Sequence, residues 1–405
     1  MSSQPTGDLS DRVAALPGMD RLLPALDGLA PTYLVGGAVR DLLVGQDFVD
    51  VDLTVEGDGV ASARELAQRL GGEASEHERF GTATVRAGDL TMDVATARRE
   101  SYAHPGALPD VEPASLEEDL ARRDFGVNAM AIALSEPGRG ELRDPVGGSR
   151  DLAAGRIRVL HERSFTDDPT RLLRALRYEA RLGFSLDPDT ERLAREAVAA
   201  DVLSTVSGPR VCDELMDLLG EPAAPVAVGR MHDLGVAAAL HPRLRADPEL
   251  VASALLAAGE TGASGVLTAL AALVSEDPVT LEPFVSGLGL SAPDRDAVLR
   301  AARNAPALPA ALRAGPRPSE VHSMLTAEPP ETLALALAMG APGGLVQRFL
   351  AELRGTRLEI GGQDLLDAGV PPSEAIGRAL DETLRRKLDG EVGGEAPAVV
   401  HHALL

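Results

Sequence analysis

The clearest pattern in the chain is the strict alternation of apolar and polar residues in VDVDLTV, residues 49–55. A period of two predicts a half-buried strand, with Asp50 and Asp52 on the same face. The two carboxylates then lie about 6.6 Å apart along the strand. Aspartate is a poor strand residue, and two like charges on one face repel each other. The pattern therefore raises the question of what these two carboxylates bind.

The region of residues 31–145 mixes strand and helix patterns. Turn residues and apolar alternation predict strands over 32–35, 48–55, 83–88 and 91–97, the last two joined as a hairpin, and a strand or helix over 128–134. Helical spacing predicts a helix from Ala38 to Val44, closed by Gly45, and another over 59–72. From about residue 146 the strand patterns disappear. The sequence thus predicts a small α/β head followed by a long all-helical part.

The composition indicates a soluble protein of a reducing compartment. The chain has 405 residues, which is enough for several domains, and its single cysteine, Cys212, excludes an intramolecular disulfide. The first residues show no signal peptide, and no run of about 18 apolar residues predicts a membrane span. We therefore expect a cytoplasmic protein without a membrane partner.

The charge distribution leaves room for a nucleic-acid partner. The net charge of −23 argues against one at first. However, residues 143–181 hold nine arginines against six acidic residues. Such a local basic band can bind a phosphate backbone while the rest of the chain stays acidic.

A Gly-Gly turn precedes the two aspartates, where YLVGGAVRD runs from a strand into a helix. Gly36 and Gly37 let the backbone approach a ligand closely, and the free N–H groups of the helix start form an anion site that Arg40 can also reach. Either pattern alone is more often a plain turn or a solvated strand face. Together they indicate that Asp50 and Asp52 hold two Mg²⁺ ions against a nucleoside triphosphate whose tail lies on the glycine turn.

Asp93 is a candidate for a third carboxylate. It lies in the middle of TMDVATA with apolar neighbours. It is either a surface acid of the hairpin or a catalytic group that polarises the attacking hydroxyl. The sequence leaves both interpretations open.

Four motifs follow one another in an order that identifies a family. They are LVGGAVRDLLVGQDFVDVDLT (34–54), LARRDFGVNAMA (120–131), DPVGGSRDLAAGRIRVL (144–160) and FTDDPTRLLRALRYEARLGF (165–184). With these motifs the chain resembles the class II tRNA nucleotidyltransferase and bacterial poly(A) polymerase family, which belongs to the polymerase-β-like nucleotidyltransferases. The resemblance covers about residues 30–220.

The resemblance implies an α+β fold, in which a polymerase-β-like nucleotidyltransferase head with a mixed sheet is followed by an elongated all-helical neck, body and tail. The expected ranges are an N-terminal extension (1–30), the catalytic head (31–145), a neck that recognises the base (146–220), a body (221–310) and a tRNA-binding tail (311–405). It also implies that C, C and A are added from CTP and ATP to tRNA 3′ ends, without a nucleic-acid template. The expected cofactors are two Mg²⁺ ions, and the expected partner is tRNA and not DNA.

The resemblance further implies a role for each motif residue. Asp50 and Asp52 are expected to bind the metal ions; Gly36, Gly37, Arg40 and Arg123 to bind the triphosphate; Asp124 and Asn128 to bind the ribose; Asp168 and Arg171 to read the base; and Arg174 and Arg177 to add contacts to nucleotide or RNA.

The chemistry of Asp124 allows two interpretations. Its carboxylate can accept a hydrogen bond from a ribose 2′-hydroxyl, which favours NTP over dNTP. Alternatively, it forms a salt bridge with Arg122 or Arg123.

Asp168 and Arg171 lie side by side at the start of a predicted helix. An acceptor beside a forked donor matches the exocyclic amine and ring nitrogen of cytosine or adenine. Uracil and guanine present a carbonyl group at the equivalent place and do not match. Asp168 also suits a plain N-cap, with Pro169 at the first helical position.

Helical spacing after Arg171 separates leucines from arginines. One face holds Leu172, Leu173 and Leu176, and the other holds Arg174, Arg177 and Arg181. The pattern predicts a core face opposite a cationic face for RNA. Further along, Arg210 and Glu214 are spaced as an i,i+4 pair that stabilises a helix.

Several reactions remain open. The stretch 97–120 resembles the loop of family members that add only part of CCA, so CC-only, A-only and poly(A) addition are alternatives to the full reaction. Outside this class, a small-molecule nucleotidyltransferase would share the carboxylate pair, but the arginine-bearing helices argue for RNA. An inactive RNA-binding protein is the other alternative, and the intact aspartate pair argues against it.

Overall fold

The structure, a computed structural model, describes residues 8–46, 51–77, 81–367 and 370–392. Asp50, which the sequence assigns to the metal site, lies outside the described residues. The chain divides into two compact units: Met1–Glu214 with Leu234–Ala239, and Leu215–Asp233 with Leu240–Leu405. The candidate site belongs to the first unit.

Eleven strands lie in the described part of the first unit. They are β1 (Thr32–Val35), β2 (Val51–Val55), β3 (Glu73–His77), β4 (Thr82–Ala87), β5 (Leu90–Thr96), β6 (Arg98–Ser101), β7 (Asp110–Pro113), β8 (Ala131–Ala133), β9 (Leu142–Arg143), β10 (Arg156–Ile157) and β11 (Ser185–Leu186). In the described ranges a mixed sheet of seven strands has the order β3-β4-β5-β2-β1-β8-β9, and β6-β7 and β10-β11 form two small sheets. The predicted hairpin is confirmed as the antiparallel pair β4-β5.

The helices up to residue 199 are mostly short. They are α1 (Ser10–Ala14), α2 (Met19–Ala25), α3 (Gly37–Val44), α4 (Gly59–Leu70), α5 (Leu116–Ala121), α6 (Gly148–Ala154), α7 (Ser164–Asp167), α8 (Arg171–Leu182) and α9 (Pro188–Ala199). The predicted helix after the glycine turn is confirmed as α3, and Gly45 ends it in the left-handed conformation. The second predicted helix is α4, which Asp58 caps and Gly71 ends. The α+β fold class predicted for this part of the chain is confirmed.

Strand β2 is more buried than its alternation predicted. Asp52 is partly exposed, but Thr54, on the same face, is only 1% exposed. The prediction of a half-buried strand is therefore wrong at Thr54. Strand β2 lies inside the sheet, where it pairs with β1 on one side and β5 on the other, and Arg123 Nη2 donates to Thr54 Oγ1 over 3.4 Å on the polar face. A central strand holds Asp52 in a fixed place.

Apolar residues of the sheet and of α1–α4 form the core of the head. Leu34, Leu53, Leu66, Val85 and Val94 are at most 1% exposed and belong to one cluster. This packing fixes the strand that carries Asp52 and the helix that follows the glycine turn.

The remaining helices follow residue 207. They are α10 (Gly208–Gly220), α11 (Ala224–Asp233), α12 (Val236–Leu240), α13 (Pro248–Thr261), α14 (Gly265–Val274), α15 (Pro278–Gly287), α16 (Ala292–Asn304), α17 (Leu308–Arg313), α18 (Pro318–Leu325), α19 (Pro330–Ala338), α20 (Gly343–Arg348), α21 (Gly362–Asp367) and α22 (Glu374–Leu388). In the second unit, α13, α14, α16 and α19 pack against one another. The predicted helical character is confirmed, although the two-residue strands β10 and β11 lie in the region expected to be all-helical. None of the helices in the described ranges is long and apolar enough to cross a membrane.

Candidate active site

A cavity of about 470 Å³ in the first unit collects most of the predicted site residues. Its lining comes from the glycine turn, β2, the hairpin β6-β7, the segment after α5, and helices α8 and α10. The lining residues are Gly36, Gly37, Asp52, Glu100, Tyr102, Pro109, Arg122, Arg123, Asp124, Asn128, Asp168, Thr170, Arg171, Arg174, Tyr178, Arg210, Asp213 and Glu214. Of the predicted site residues in the described part, Arg40, Asp93 and Arg177 do not line it.

The glycine turn leaves an open place beside Asp52. Gly36 has φ +69° and ψ −130°, a conformation that is suited to glycine, and no side chain caps the first turn of α3. A Cβ atom on Gly36 would lie 3.0 Å from Arg123 Nη1 and 3.9 Å from Asp52 Oδ2. The absence of this one carbon keeps backbone N–H groups, a guanidinium and a carboxylate around the same space.

Asp93 lies on the strand next to Asp52. The two residues are in register on the parallel strands β2 and β5, so they lie side by side across the sheet. The Asp93 carboxylate is exposed and accepts a 2.6 Å hydrogen bond from Thr84 Oγ1. Both interpretations of Asp93 therefore stay open.

The donors at this place suit a hard divalent cation. Carboxylate oxygen is the ligand that Mg²⁺ prefers in proteins, and Asp52 offers it beside the space that Gly36 leaves open. Within the described ranges, no group of three or more His, Cys, Asp or Glu side chains is arranged to hold a metal ion. Asp50, the second expected ligand, lies outside those ranges.

Arg122 and Arg123 are held by a fully buried carboxylate. Asp119 is 0% exposed, and it accepts 2.7 Å and 3.0 Å hydrogen bonds from Arg122 Nη2 and Arg123 Nη2. Burial raises the pKa of the Asp119 carboxyl, but the charges of Arg123 and Arg122 outweigh burial and lower this pKa below its ordinary value of 3.8. Asp119 therefore fixes both arginines at the wall of the cavity.

Asp124 is paired, although not with the arginines that the sequence suggested. Its Oδ2 accepts hydrogen bonds from Arg174 Nε (3.0 Å) and Nη2 (2.7 Å), and its Oδ1 accepts from Phe125 N (2.8 Å) and Asn128 Nδ2 (3.2 Å). The expected alternative pairing with Arg122 or Arg123 is replaced by this contact to α8, because Asp119 already holds both of those arginines.

Arg40 lies behind the glycine turn. It is 2% exposed and donates to Asp41 Oδ1 (2.8 Å) and to Asn128 Oδ1 (2.6 Å). Its Nη2 atom lies 3.4 Å from the position that a Cβ atom on Gly37 would take. Arg40 thus supports the turn and Asn128 from the interior.

Asp168 and Arg171 both line the cavity at the start of α8. Asp168 Oδ1 accepts hydrogen bonds from Thr170 N (3.2 Å) and Thr170 Oγ1 (2.7 Å). Thr170, not Asp168, is the N-cap residue of α8, so the plainer interpretation of Asp168 as the N-cap is wrong, and its carboxylate holds the turn that leads into the helix. Arg171 is 5% exposed and donates to Ser164 Oγ (2.7 Å) and to the carbonyl oxygen of Arg122 (2.8 Å). Holding Thr170 and lining the cavity are compatible roles for Asp168.

The arginines of α8 lie against acidic side chains. Arg174 Nη1 lies 3.0 Å from Glu214 Oε1, and Arg177 Nη1 lies 3.9 Å from Glu214 Oε2. The guanidinium groups of both arginines also lie over the ring of Tyr178, at 5.5 Å and 5.2 Å from its centroid. The face predicted to be cationic is largely interior and neutralised at these two residues. Helical spacing placed the arginines on one face of the helix, but it could not show the acidic side chains that pack against them.

Comparisons with known proteins agree with these motifs. The family profile of the poly A polymerase head domain matches residues 32–158, and that of the probable RNA and SrmB-binding site of polymerase A matches residues 183–247. The CC-adding tRNA nucleotidyltransferase of Deinococcus radiodurans is 36% identical, over 89% of this chain and 85% of that protein. The A-adding tRNA nucleotidyltransferase of Geobacter sulfurreducens is also 36% identical, over 89% of this chain and 43% of that protein.

A solved structure extends the likeness to the fold. The Thermotoga maritima CCA-adding enzyme complexed with tRNA_CCA superposes with a TM-score of 0.79 and 32% identity over 98% of both chains. The chain belongs to the tRNA nucleotidyltransferase family. The resemblance drawn from the four motifs is thereby confirmed, together with the mixed-sheet head and helical remainder that it implied.

Membership of the tRNA nucleotidyltransferase family carries two further facts. The chain spans less than half the length of the A-adding relatives that it matches. Nucleotidyltransferases generally use divalent metal ions, which agrees with the chemistry of the place beside Asp52.

Sequence reasoning did not assign every residue of this cavity to the site, and Arg210, Glu100 and Tyr102 are examples of those it missed. Arg210 was assigned to a helix pair with Glu214, but its Nη2 donates a 2.8 Å hydrogen bond to Asp168 Oδ1. Glu100 and Tyr102 belong to the hairpin β6-β7 and are joined by a 2.9 Å hydrogen bond. Burial and the Glu100 charge raise the pKa of Tyr102, so the phenol stays protonated at neutral pH. The 42 residues between Arg210 and Asp168 explain why no local pattern showed their contact.

Proposed function

We propose that the chain adds C, A or both from CTP and ATP to the 3′ end of tRNA without a template, with divalent ions bound at Asp50 and Asp52. The observation that carries this proposal is the single cavity that Asp52, the open glycine turn and the Asp168–Arg171 pair all line. Nucleotidyl transfer needs a carboxylate that binds metal, a site that binds the triphosphate anion, and polar side chains that can hydrogen-bond to a base.

The triphosphate lies on the glycine turn in this proposal. Gly37 offers a backbone N–H group at the start of α3, whereas the N–H of Gly36 donates to the carbonyl oxygen of Met130 over 3.2 Å and Gly36 contributes the open space. Arg123 reaches the same space with its Nη1 atom. Arg40 contributes from behind, since it holds Asn128 and supports the turn. Its expected contact with phosphate becomes an indirect one.

Two Mg²⁺ ions would be held by Asp50 and Asp52. Bound there, they would polarise the reacting phosphate and lower the pKa of the attacking 3′-hydroxyl group of the tRNA. Asp93 would act as the third carboxylate, and its register with Asp52 supports that role. The residues themselves orient the reactants: Asp52 from a central strand, and Arg123 from its anchor on Asp119.

The base would be read by Asp168 and Arg171. All side-chain hydrogen bonds of Asp168 within the described residues fall on Oδ1, so Oδ2 can accept from an exocyclic amine. Arg171 uses two of its five N–H donors on Ser164 and Arg122, and others can donate to a ring nitrogen. The ribose would lie between them and the triphosphate, near Asp124 and Asn128.

A direct assay of incorporation tests this function. Three forms of one tRNA, lacking CCA, CA or only the final A, are incubated with Mg²⁺ and labelled CTP or ATP. Defined additions of one to three nucleotides support the proposal, and the pattern over the three tRNAs separates CCA, CC-only and A-only activity. Long homopolymer products would instead indicate poly(A) addition.

Failure of the assay is also informative. If no RNA is labelled but a small molecule with a hydroxyl group accepts AMP, the chain is a small-molecule nucleotidyltransferase. If tRNA binds and nothing is transferred with any metal ion, the chain is an RNA-binding protein. Either outcome overturns the proposal.

A further inference from the structure

The guanidinium group of Arg174 is the main contact of the Asp124 carboxylate with helix α8. Arg174 Nε and Nη2 both donate to Asp124 Oδ2, over 3.0 Å and 2.7 Å. Two donors of one planar group on one oxygen fix its direction more strictly than a single bond can. The contact spans 50 residues of sequence and joins the segment after α5 to the helix that starts at the base-reading pair.

The four hydrogen bonds on Asp124 fill its acceptor capacity. A carboxylate has about four lone-pair sites, and Phe125 N, Asn128 Nδ2 and the two Arg174 donors occupy that number. A ribose 2′-hydroxyl can donate to this carboxylate only when one donor gives way. Arg174 is the partner that can release one bond and keep the other, because it alone donates twice to one oxygen.

Arg174 is itself held on its remaining sides. Its Nη1 contacts Glu214 Oε1 at 3.0 Å, its Nη2 donates to Tyr178 Oη over 3.3 Å, and its guanidinium lies over the Tyr178 ring. Burial lowers the pKa of this guanidinium, but Asp124, Tyr178 and Glu214 raise it well above its ordinary value. Arg174 therefore stays charged, and these contacts restrict its guanidinium group to small rotations.

We infer that Arg174 is a positioning residue for sugar recognition: it aims the Asp124 carboxylate at the ribose 2′-hydroxyl and leaves one acceptor site when the nucleotide binds. This replaces the contact with RNA phosphate that helical spacing had suggested for Arg174. The inference rests on the proposed function and on the ribose role of Asp124. It predicts that Arg174 sets the preference for NTP over dNTP, and not only the stability of the fold.

The test compares ribonucleotide with deoxyribonucleotide incorporation. Values of kcat/KM are measured for ATP against 2′-dATP and for CTP against 2′-dCTP on the truncated tRNAs, with wild type, Arg174→Gln and Arg174→Lys. Arg174→Gln should lower the NTP/dNTP ratio about tenfold, since a charged hydrogen bond is lost. Arg174→Lys keeps the charge but not the paired donors, so its ratio should lie between those of Gln and wild type.

Arg192→Gln is the matched control. Arg192 is an exposed arginine of α9 that pairs with Glu196 over 2.9 Å and does not line the cavity. Its ratio should equal that of wild type. Circular dichroism melting of all variants shows which of them are folded, and Arg174→Lys decides the question if Arg174→Gln does not fold.

The outcomes separate the inference from the proposed function. A folded Arg174 variant that loses NTP and dNTP incorporation equally, or that keeps both, overturns the positioning role. A wild-type protein that incorporates neither CTP nor ATP overturns the proposed function instead. A selective gain of dNTP relative to NTP supports the inference.

Discussion

Arg210 on α10 donates a hydrogen bond from Nη2 to Asp168 Oδ1 over 2.8 Å. Its Nη1 donates to the carbonyl oxygen of Gly106 over the same distance. One guanidinium thus joins the carboxylate proposed to read the base to the loop between β6 and β7. The orientation of Asp168 depends on a residue that no sequence pattern connects with it.

Arg210→Ala is expected to weaken nucleotide selection. A hydrogen bond to a charged group contributes about 1.5–3 kcal/mol, so rates with CTP or ATP should fall about tenfold or more relative to UTP and GTP. Asp168→Ala removes the acceptor itself and should have the larger effect. Incorporation of each of the four NTPs on a truncated tRNA measures both variants, with Arg192→Ala as control. Wild-type selectivity in Arg210→Ala would mean that Thr170 alone orients Asp168.

Asp52→Ala is expected to abolish transfer while the fold stays intact. The residue is a partly exposed carboxylate on a central strand, so its loss removes a metal ligand and leaves the core unchanged. The rate should fall about 10³-fold or more, and Asp50→Ala should behave alike. Single-turnover incorporation and circular dichroism measure the two effects. Asp89→Ala, at an exposed hairpin turn, is the control, and near-normal turnover in Asp52→Ala would refute the metal site.

Gly36→Ala is expected to impair activity far more than Gly45→Ala. Both glycines flank α3 with positive φ, of +69° and +74°, so each substitution strains the backbone by roughly 1–3 kcal/mol. Only at Gly36 would the added carbon meet Arg123 Nη1, at 3.0 Å, and fill the place proposed for triphosphate. Urea unfolding should show the larger loss of stability for Gly36→Ala, since Gly36 has ψ −130° and Gly45 the left-handed conformation, and the KM for the nucleotide should rise only in folded Gly36→Ala. Equal KM values would argue against binding at the turn.

Asp119→Asn is expected to destabilise the protein strongly at neutral pH. The variant leaves Arg123 without its buried counter-charge, which costs about 3–5 kcal/mol, whereas Arg122 keeps its 2.6 Å pair with Glu100. The pKa of Asp119 is lower in the folded than in the unfolded state, so its contribution is complete above the ordinary value of 3.8. This contribution is lost as the pH falls through the folded-state pKa. Urea unfolding between pH 7 and pH 3 should show the difference between wild type and variant shrinking only below about pH 4.

An exposed carboxylate provides the comparison for Asp119. Glu112 on β7 pairs with Arg99 over 2.5 Å, and both side chains are at least 60% exposed. Glu112→Gln should change the free energy of unfolding by less than about 1 kcal/mol, as is usual for surface pairs. A similar loss in both variants would contradict the burial argument.

Elements with a strong apolar period could be predicted from the sequence. Strand β1, helix α3 with its end at Gly45 and the hairpin β4-β5 were all predicted close to their observed bounds. The strands β6 and β7 were missed because RRES and DVEP have no apolar face and are stabilised by cross-strand ion pairs such as Arg99–Glu112. The apolar periodicity of a segment does not predict a strand that is stabilised mainly by cross-strand ion pairs.

The motifs predicted which residues belong to the site, but they did not predict the side-chain contacts that hold those residues in place. The glycines, Asp52, Asp124 and Asp168 do lie around one cavity. The partners that hold them, such as Arg174 for Asp124, come from distant parts of the chain, and a pattern of charges does not say which acid meets which base. Arg40 is an example. Its position after the glycine turn suggested a contact with phosphate, but its side chain is buried and donates to Asn128.

The two ends of the hairpin β6-β7 lie next to each other where they join the head. Ala114 N donates a 2.9 Å hydrogen bond to the carbonyl oxygen of Ala97, and Ala97 N donates to Val55 at the end of β2. Residues 98–113 therefore form a loop whose two ends are joined by a hydrogen bond. The entropic cost of closing such a loop grows only slowly with its length. Insertions and deletions can accumulate there over evolution without displacing the strand that carries Asp52. Because Glu100, Tyr102 and Pro109 of this loop form one wall of the cavity, descendants of one ancestral head can acquire different nucleotide preferences by changing a single segment.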